Sequence, residues 1–400
     1  MSVRHGGSRI DDIEVLRAVA VIMVCISHVG PMLWWDTNPL GIVGKYFTFW
    51  SGVDLFFAIS GFVIARSLLP RLAELESGSR QYWIETFDFW IRRAYRLLPS
   101  AWVWIAIPLV GSIIFPTYVG GFSQVFPSAV AALMHMGNFH LWAVGVWGQN
   151  PGILGVYWSL SLEEQFYLLL PIVFLFLRRR FVAFLIAVIL IQTFLPDSFW
   201  HWSNNLPWAF RIQAICFGVL IAILSRTEIY RIINPTIFRA RYVSIPAVAL
   251  LVMFVSAVPS NEGKVFVLPF SVGFTAGICA LLVFIASFNE DYILPSGMLK
   301  RMFVWIGERS YAIYLVNLPA AAINRIIWEA AMGSDYKFTN ANLWPVTMTA
   351  ISIMLILADL NYRIVETPLR NCGRSVAEQF REKYVAQSES VDGKITDSRR

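Results

Sequence analysis

The chain alternates long apolar runs with short polar connections. Runs near the ~20 residues needed to cross hydrocarbon lie at about 13–33, 47–69, 97–117, 160–177, 181–195, 207–224, 243–258, 265–288, 303–328 and 343–362. They predict helices, because a lipid-embedded backbone satisfies its N–H and C=O groups only within a helix or a closed barrel. An eleventh stretch, 128–146, is interrupted by His135, Gly137, Asn138 and His140, and hydropathy alone leaves its crossing open. Charge decides between the two counts. With the N-terminus inside, basic residues collect in alternate connections: Arg4 and Arg9; Arg66 to Arg96; Arg178 to Arg180; Arg226 to Arg241; Lys300 and Arg301; then an arginine-rich tail. The intervening loops hold only Lys45, Lys264 and Lys337. This bias obeys the positive-inside rule only if 128–146 does not cross.

The expected architecture is therefore an all-α polytopic membrane bundle of about ten transmembrane helices in the plasma (inner) membrane, with both termini cytoplasmic. A re-entrant or external element covers about 122–157, which is tolerable at membrane depth only if buried in protein or lining a cavity. Residues 1–12 form a cytoplasmic N-terminus, 13–370 the membrane domain and 371–400 a cytoplasmic tail. After about residue 384 the tail is polar and without hydrophobic periodicity, so it is expected to be largely disordered.

Composition agrees with the pattern. Charged residues make up 14% and hydrophobic residues 57% of the 400 positions, against about 25% charged in soluble domains. A secreted soluble enzyme and a nucleic-acid-binding module are excluded, and the net charge of +6 is what topology-setting Lys and Arg supply. Cys25, Cys216, Cys279 and Cys372 contain no C-x-x-C pair, so free thiols are expected, with neither a metal site nor a disulfide framework. No small-residue cleavage site precedes the first run, which is expected to stay as an uncleaved anchor, and no soluble domain is expected.

Charge inside hydrocarbon is costly, which makes the few ionisable residues of the spans functional candidates. Arg17 and His28 stand eleven residues apart on one predicted helix. Eleven steps return to within about 20° of the same face, with about 16 Å of axial separation. A snorkelling arginine and a core histidine hydrogen-bonded for packing would also fill these positions. Before the third span, Arg92, Arg93 and Arg96 have the i,i+3 and i,i+4 spacing that lets guanidiniums converge on phosphates, or they set topology beside lipid headgroups. In Trp158-Ser-Leu-Ser-Leu-Glu-Glu-Gln-Phe-Tyr167, Glu163 and Glu164 open the fourth span, and Ser161 with Glu164 also fits a helix capping box. Asp54 begins the second span, placed to orient a histidine, neutralise an arginine or meet the helix dipole. Arg211 and Glu366 read as packing or capping residues.

These residues and their flanks resemble the acyltransferase-3 family of integral membrane acyltransferases over roughly 10–370. The likeness rests on six motifs in the family's order: Arg17 to His28; Gly52-Val-Asp-Leu-Phe-Phe with Ser60-Gly-Phe; Arg92 to Leu98; the Trp158 to Tyr167 segment; Ser310-Tyr-x-x-Tyr-Leu, which contains Tyr311; and Tyr362-Arg-x-x-Glu-x-Pro368. One departure is Asn317, where the family commonly has a histidine after Tyr-Leu.

The resemblance implies a membrane O-acyltransferase. Its co-substrate would be cytoplasmic acyl-CoA, with acetyl-CoA the expected form and no permanently bound cofactor. Its acceptor would be a hydroxyl of a cell-surface or lipid-linked glycan; no nucleic acid partner is implied. It proposes His28 as the catalytic residue, Arg17 for donor binding or positioning, and Arg92, Arg93 and Arg96 for the donor's phosphates. The favoured reading of this chain then has His28 as general base on the acceptor hydroxyl, Glu164 or Asp54 as an acidic neighbour orienting it, and Arg17 stabilising the donor or developing negative charge. A transporter of lipid-linked sugars or acyl groups would also need intramembrane charges, but its usual internal repeat is missing from the sequence. A noncatalytic assembly partner would leave the aligned Arg17 and His28 unexplained.

Overall fold

The computed structural model describes residues 9–33, 46–147, 152–194, 209–261, 270–333 and 338–397; Arg4, Lys45, Lys264 and Lys337 lie outside them. The described chain is helical, with no strand among the described residues. Its principal helices are α1 (Asp11–Leu33), α2 (Gly52–Glu74), α3 (Arg80–Ile114), α4 (Phe122–Leu133), α5 (Gly137–Val146), α6 (Tyr157–Leu177), α7 (Phe181–Phe194) and α8 (Gln213–Leu224). They continue as α9 (Arg241–Asn261), α10 (Ser271–Ser287), α11 (Met298–Glu308), α12 (Ser310–Met332), α13 (Leu343–Asn361) and α14 (Thr367–Asp397). Among the described residues, five segments are long and apolar enough to cross a membrane by length and composition: Phe49–Glu74, Arg80–Ile114, Ile153–Leu177, Arg241–Pro259 and Leu343–Tyr384. The fold is thus an all-α membrane-type bundle; the count of ten crossings stays a sequence expectation.

Its outer surface is apolar in the way lipid demands. Phe176 is 79% exposed, Phe194 72% and Ile113 67%, far more apolar surface than a water-facing helix bundle leaves uncovered. Inside, backbones approach at small residues, the device membrane helices use because lipid supplies no hydrophobic drive between them. A Cβ at Gly61 would lie 2.1 Å from the Ile215 carbonyl oxygen, and one at Gly218 would lie 2.1 Å from that of Ala58, so only glycine lets α2 and α8 cross there. Polar side chains add bridges: Asn324 Nδ2 donates to the Val346 carbonyl at 3.1 Å between α12 and α13, and Trp104 Nε1 donates to Asn361 Oδ1 at 3.1 Å between α3 and α13.

Several boundaries differ from expectation. The run 303–328 divides at Arg309: α11 presents Met298, Leu299 and Met302 outward while burying Lys300 and Val304, and α12 starts only at Ser310. Lys300, in the first turn of α11, meets Asp12 Oδ1 at 2.6 Å and Asp291 Oδ1 at 2.5 Å through its Nζ, tying α11 to the start of α1. The stretch 122–157 forms two short helices, α4 and α5, and a 3-10 turn at Ile153–Val156. α6 begins at Tyr157, a turn before the capping-box position. Ser161 therefore caps nothing; its Oγ accepts from the Gly137 N–H at 3.0 Å and ties α5 to α6.

A π turn at Tyr362–Glu366 joins α13 to α14. α14 then lies along the first half of α3, with Arg381 Nη2 2.8 Å from Glu85 Oε1 and Phe380 6.1 Å from Phe87 between ring centroids. The backbone is helical to Asp397, through the stretch expected to be irregular; docking on α3 orders its first half.

Candidate active site

α1, α2, α3, α6 and α12 line a partly open cavity of about 80 Å³. One wall is cationic, built from Arg17 of α1 with Arg93 and Arg96 of α3. The facing wall is α2, which contributes Val53, Phe56, Phe57, Val63 and Ile64. Glu163 is the one carboxylate in the lining, and Ser60, Ser159, Tyr167, Tyr311 and Tyr314 supply hydroxyls.

The helical spacings explain which arginines arrive. Arg93 and Arg96, i and i+3, share the cavity face of α3. Arg92 points aside: its Nε is 2.9 Å from Asp88 Oδ2, one turn back on the same helix, and its Nη2 is 3.6 Å from Glu378 of α14. The expected three-arginine convergence is therefore corrected to two from α3, completed by Arg17 from α1. Arg17 Nη1 donates to Glu14 Oε1 at 2.9 Å, which leaves part of its fork free.

Arg93 is held from below by aromatic faces, with its guanidinium carbon 5.3 Å from the Tyr167 ring centroid and 5.8 Å from that of Phe89. Tyr167 is itself tied down. Its hydroxyl donates to Glu163 Oε1 and pairs with Ser60 Oγ at 2.5 Å, linking α6 to α2 under the guanidinium. Tyr311 Oη donates to the Leu97 carbonyl at 2.7 Å. Tyr314 Oη donates to the Val156 carbonyl at 3.0 Å and pairs with Ser159 Oγ at 2.6 Å.

His28 does not line this cavity. It lies on α1 beyond Arg17, half-buried against Asn317 of α12, and its Nδ1 is buried without a hydrogen-bond partner. Asn317 Nδ2 donates to the Tyr314 carbonyl at 2.6 Å, so the side chain facing His28 is one helical turn from the cavity wall.

Neither expected acidic neighbour reaches His28. Asp54 pairs with Arg211, whose guanidinium also lies 5.0 Å over the Trp50 ring. Glu164 pairs with His135 Nδ1 in the connection between α4 and α5. Adjacent residues on a helix diverge by about 100°, which is why Glu163 enters the cavity while Glu164 faces α5. Glu366 is 1% exposed, in the field of Arg96, Arg370 and Arg17, with neither oxygen hydrogen-bonded. No group of three or more metal-ligating side chains occurs among the described residues.

Sequence reasoning missed Tyr167, Ser60 and Tyr314 as parts of the site, although all three lie inside quoted motifs. The i,i+4 spacing of Glu163 and Tyr167 was the available signal.

Comparison with known proteins agrees with the motifs. A family model described as an acyltransferase domain matches residues 10–362. The chain is 26% identical over 392 residues to the peptidoglycan O-acetyltransferase OatA of Listeria monocytogenes, covering 93% of this chain and 57% of that protein. It is 25% identical over 389 residues to the O-acetyltransferase OatA of Staphylococcus aureus, covering 90% and 57%. It is also 25% identical over 387 residues to the putative peptidoglycan O-acetyltransferase YrhL of Bacillus subtilis, covering 91% and 55%. The chain thus spans little more than half the length of these relatives. No solved structure matches. With the family model covering most of the chain and the six motifs in order, the chain belongs to the acyltransferase-3 family of membrane proteins.

Proposed function

We propose that the protein is a membrane O-acyltransferase that moves an acyl group, acetyl in the first instance, from cytoplasmic acyl-CoA to a hydroxyl of a cell-envelope glycan. The observation that carries this reading is the cavity in which Arg17, Arg93 and Arg96 face a single carboxylate, Glu163, with His28 farther along the helix that bears Arg17. Arg93, held on the Tyr167 and Phe89 faces, is a preorganised fork, and with Arg17 and Arg96 it suits the pyrophosphate of a CoA donor. The names of the relatives support acetyl as the group and peptidoglycan as the acceptor class.

In this reading the donor enters from the side carrying the basic connections, where both termini also lie, and its phosphates rest on the arginines. Its pantetheine arm extends toward His28, about 16 Å along α1 by helical rise. His28 takes the proton from the acceptor hydroxyl as general base. The hydroxyl oxygen attacks the thioester carbonyl, the C–S bond breaks, and the proton passes from His28 to the departing thiolate, leaving an ester and free CoA. Asn317, not a carboxylate, is the polar side chain beside the imidazole.

The test uses membranes containing the protein, isotopically labelled acetyl-CoA and mild-alkali release of ester-bound acetate from membrane glycan. Label in the glycan that disappears in His28→Ala is expected. Absence of label with the intact protein at matched expression defeats the reading.

A further inference from the structure

Glu366 ends the π turn between α13 and α14, and a packing role does not account for its surroundings. It is 1% exposed, and the charges that act on it most are all positive: Arg96 first, then Arg370, Arg17 and Arg309. An ionised carboxylate offers about four acceptor positions, and buried polar groups ordinarily have theirs filled. Both Glu366 oxygens are buried without a hydrogen bond, which holds for no other carboxylate among the described residues, while Arg96 Nε and Arg370 Nε are buried donors without an acceptor. Donors and acceptors share one cluster and do not close on each other.

Three of the four cations are held by something else. Arg17 Nη1 is 2.9 Å from Glu14 Oε1. Arg309 Nε is 2.7 Å from Asp359 Oδ1, and its guanidinium carbon lies 4.2 Å from the Trp305 ring centroid. Arg370 lies over the Tyr362 ring at 5.7 Å. Arg96 has neither a carboxylate paired with it nor a ring beneath it among the described residues, yet with Arg17 it lines the cavity. Glu366 is outside that lining, so a ligand in the cavity feels its charge without touching it. A carboxylate that oriented Arg96 would be bonded to it, as Asp88 is to Arg92 at 2.9 Å. Glu366 makes no such bond, which leaves charge as its means of action.

We propose that Glu366 is the internal counter-charge of the donor site: it offsets Arg96 and Arg17 while the cavity is empty and opposes the phosphates of a bound donor, which weakens the hold on CoA once the acyl group has left. The proposal rests on the donor reading above. Glu366 acts through the arginines and touches neither substrate. Charges several ångströms apart in a partly desolvated site interact strongly enough that removing one changes the affinity for an anion by about tenfold.

The experiment titrates CoA calorimetrically into the purified protein in detergent micelles at fixed ionic strength. Glu366→Gln keeps the size and removes the charge, and is expected to bind CoA about tenfold more tightly than the parent. Glu366→Asp keeps the charge and is expected to stay within about threefold of the parent. A residue that served only packing would give no gain in affinity on losing its charge. CoA affinity unchanged or weakened in Glu366→Gln that unfolds like the parent overturns the proposal. If that variant fails to accumulate, Glu366→Met, which removes the charge and leaves no amide to satisfy, is read by the same criterion; failure of both to accumulate also overturns it, because the carboxylate is then required for folding. No binding of CoA by the intact protein overturns the donor reading instead, which distinguishes the two failures.

Discussion

Asp54 and Arg211, 157 positions apart in sequence, meet as an ion pair with both side chains at most 2% exposed. The pair binds the start of α2 to the chain just before α8, so the carboxylate serves as a counter-charge and not as a partner for His28. Removing it with Asp54→Ala leaves a buried guanidinium without its carboxylate, expected to cost about 3–5 kcal/mol. Replacing both residues, Asp54→Leu with Arg211→Met, is expected to recover most of that loss. Thermal unfolding in detergent micelles checks the order of stabilities, and a double variant no better than Asp54→Ala would refute it.

The two faces of the α3 arginine cluster separate by mutation. Arg93→Lys and Arg96→Lys exchange planar forks for point charges and are each expected to weaken CoA binding about tenfold, ~1.4 kcal/mol. Arg92→Lys, turned toward Asp88, is expected to leave it unchanged. Calorimetric titration of the purified variants with CoA reads the difference directly.

His28→Ala and His28→Gln are both expected to lose about 10² to 10⁴-fold in transfer rate while retaining CoA affinity, because the arginines lie about 16 Å away by helical rise. Normal acylation by the glutamine variant, at matched expression, makes His28 structural and moves attention to Glu163.

Close packing at the α2–α8 crossing predicts that Gly218→Ala is destabilising by about 1–3 kcal/mol, the usual cost of overpacking, since its Cβ would meet the Ala58 carbonyl. Gly277→Ala in α10, where nothing lies within 4 Å of the added methyl, is the matched control and is expected to unfold like the parent chain.

A pH dependence follows from the connection ahead of α11. The Arg239 guanidinium, hydrogen-bonded to Glu290, holds that carboxyl below the usual glutamate range, with Tyr292 and Asn234 assisting. A depressed carboxyl contributes stability that is present above its unfolded value, about 4.3, and is lost as pH falls through the lower folded value. The unfolding-temperature difference between the parent and Glu290→Gln is therefore expected near neutrality and to vanish in strong acid; a difference that persists there contradicts the assignment.

Much of this was legible in the sequence because the bilayer forces apolar runs to be helices, and because Arg17 and His28 sit where hydrocarbon makes ionisable groups conspicuous. What stayed hidden depends on which helix stands opposite. Nothing local says that Glu164 will find His135, that Asp54 will find Arg211, or that Glu378 will meet Arg92 from another helix; only the i,i+4 spacing of Asp88 and Arg92 was there to be read. The cut at Arg309 was equally invisible, since hydropathy sees one apolar run where the structure has two helices.

The π turn at Tyr362–Glu366 sets a phase. A wide turn inserts one residue relative to α-helical winding, which rotates everything downstream by about 100° about the axis. α13 and α14 form a single rod, yet its two halves obey different solvents: Ile356 and Leu360 are 59% and 46% exposed on the apolar half, whereas Glu378, Phe380 and Arg381 on the other meet α3. The turn is thus a phase shifter that lets one helix address lipid and then protein without a break. Excising a single residue there would leave both halves helical and put the second out of step with its partner.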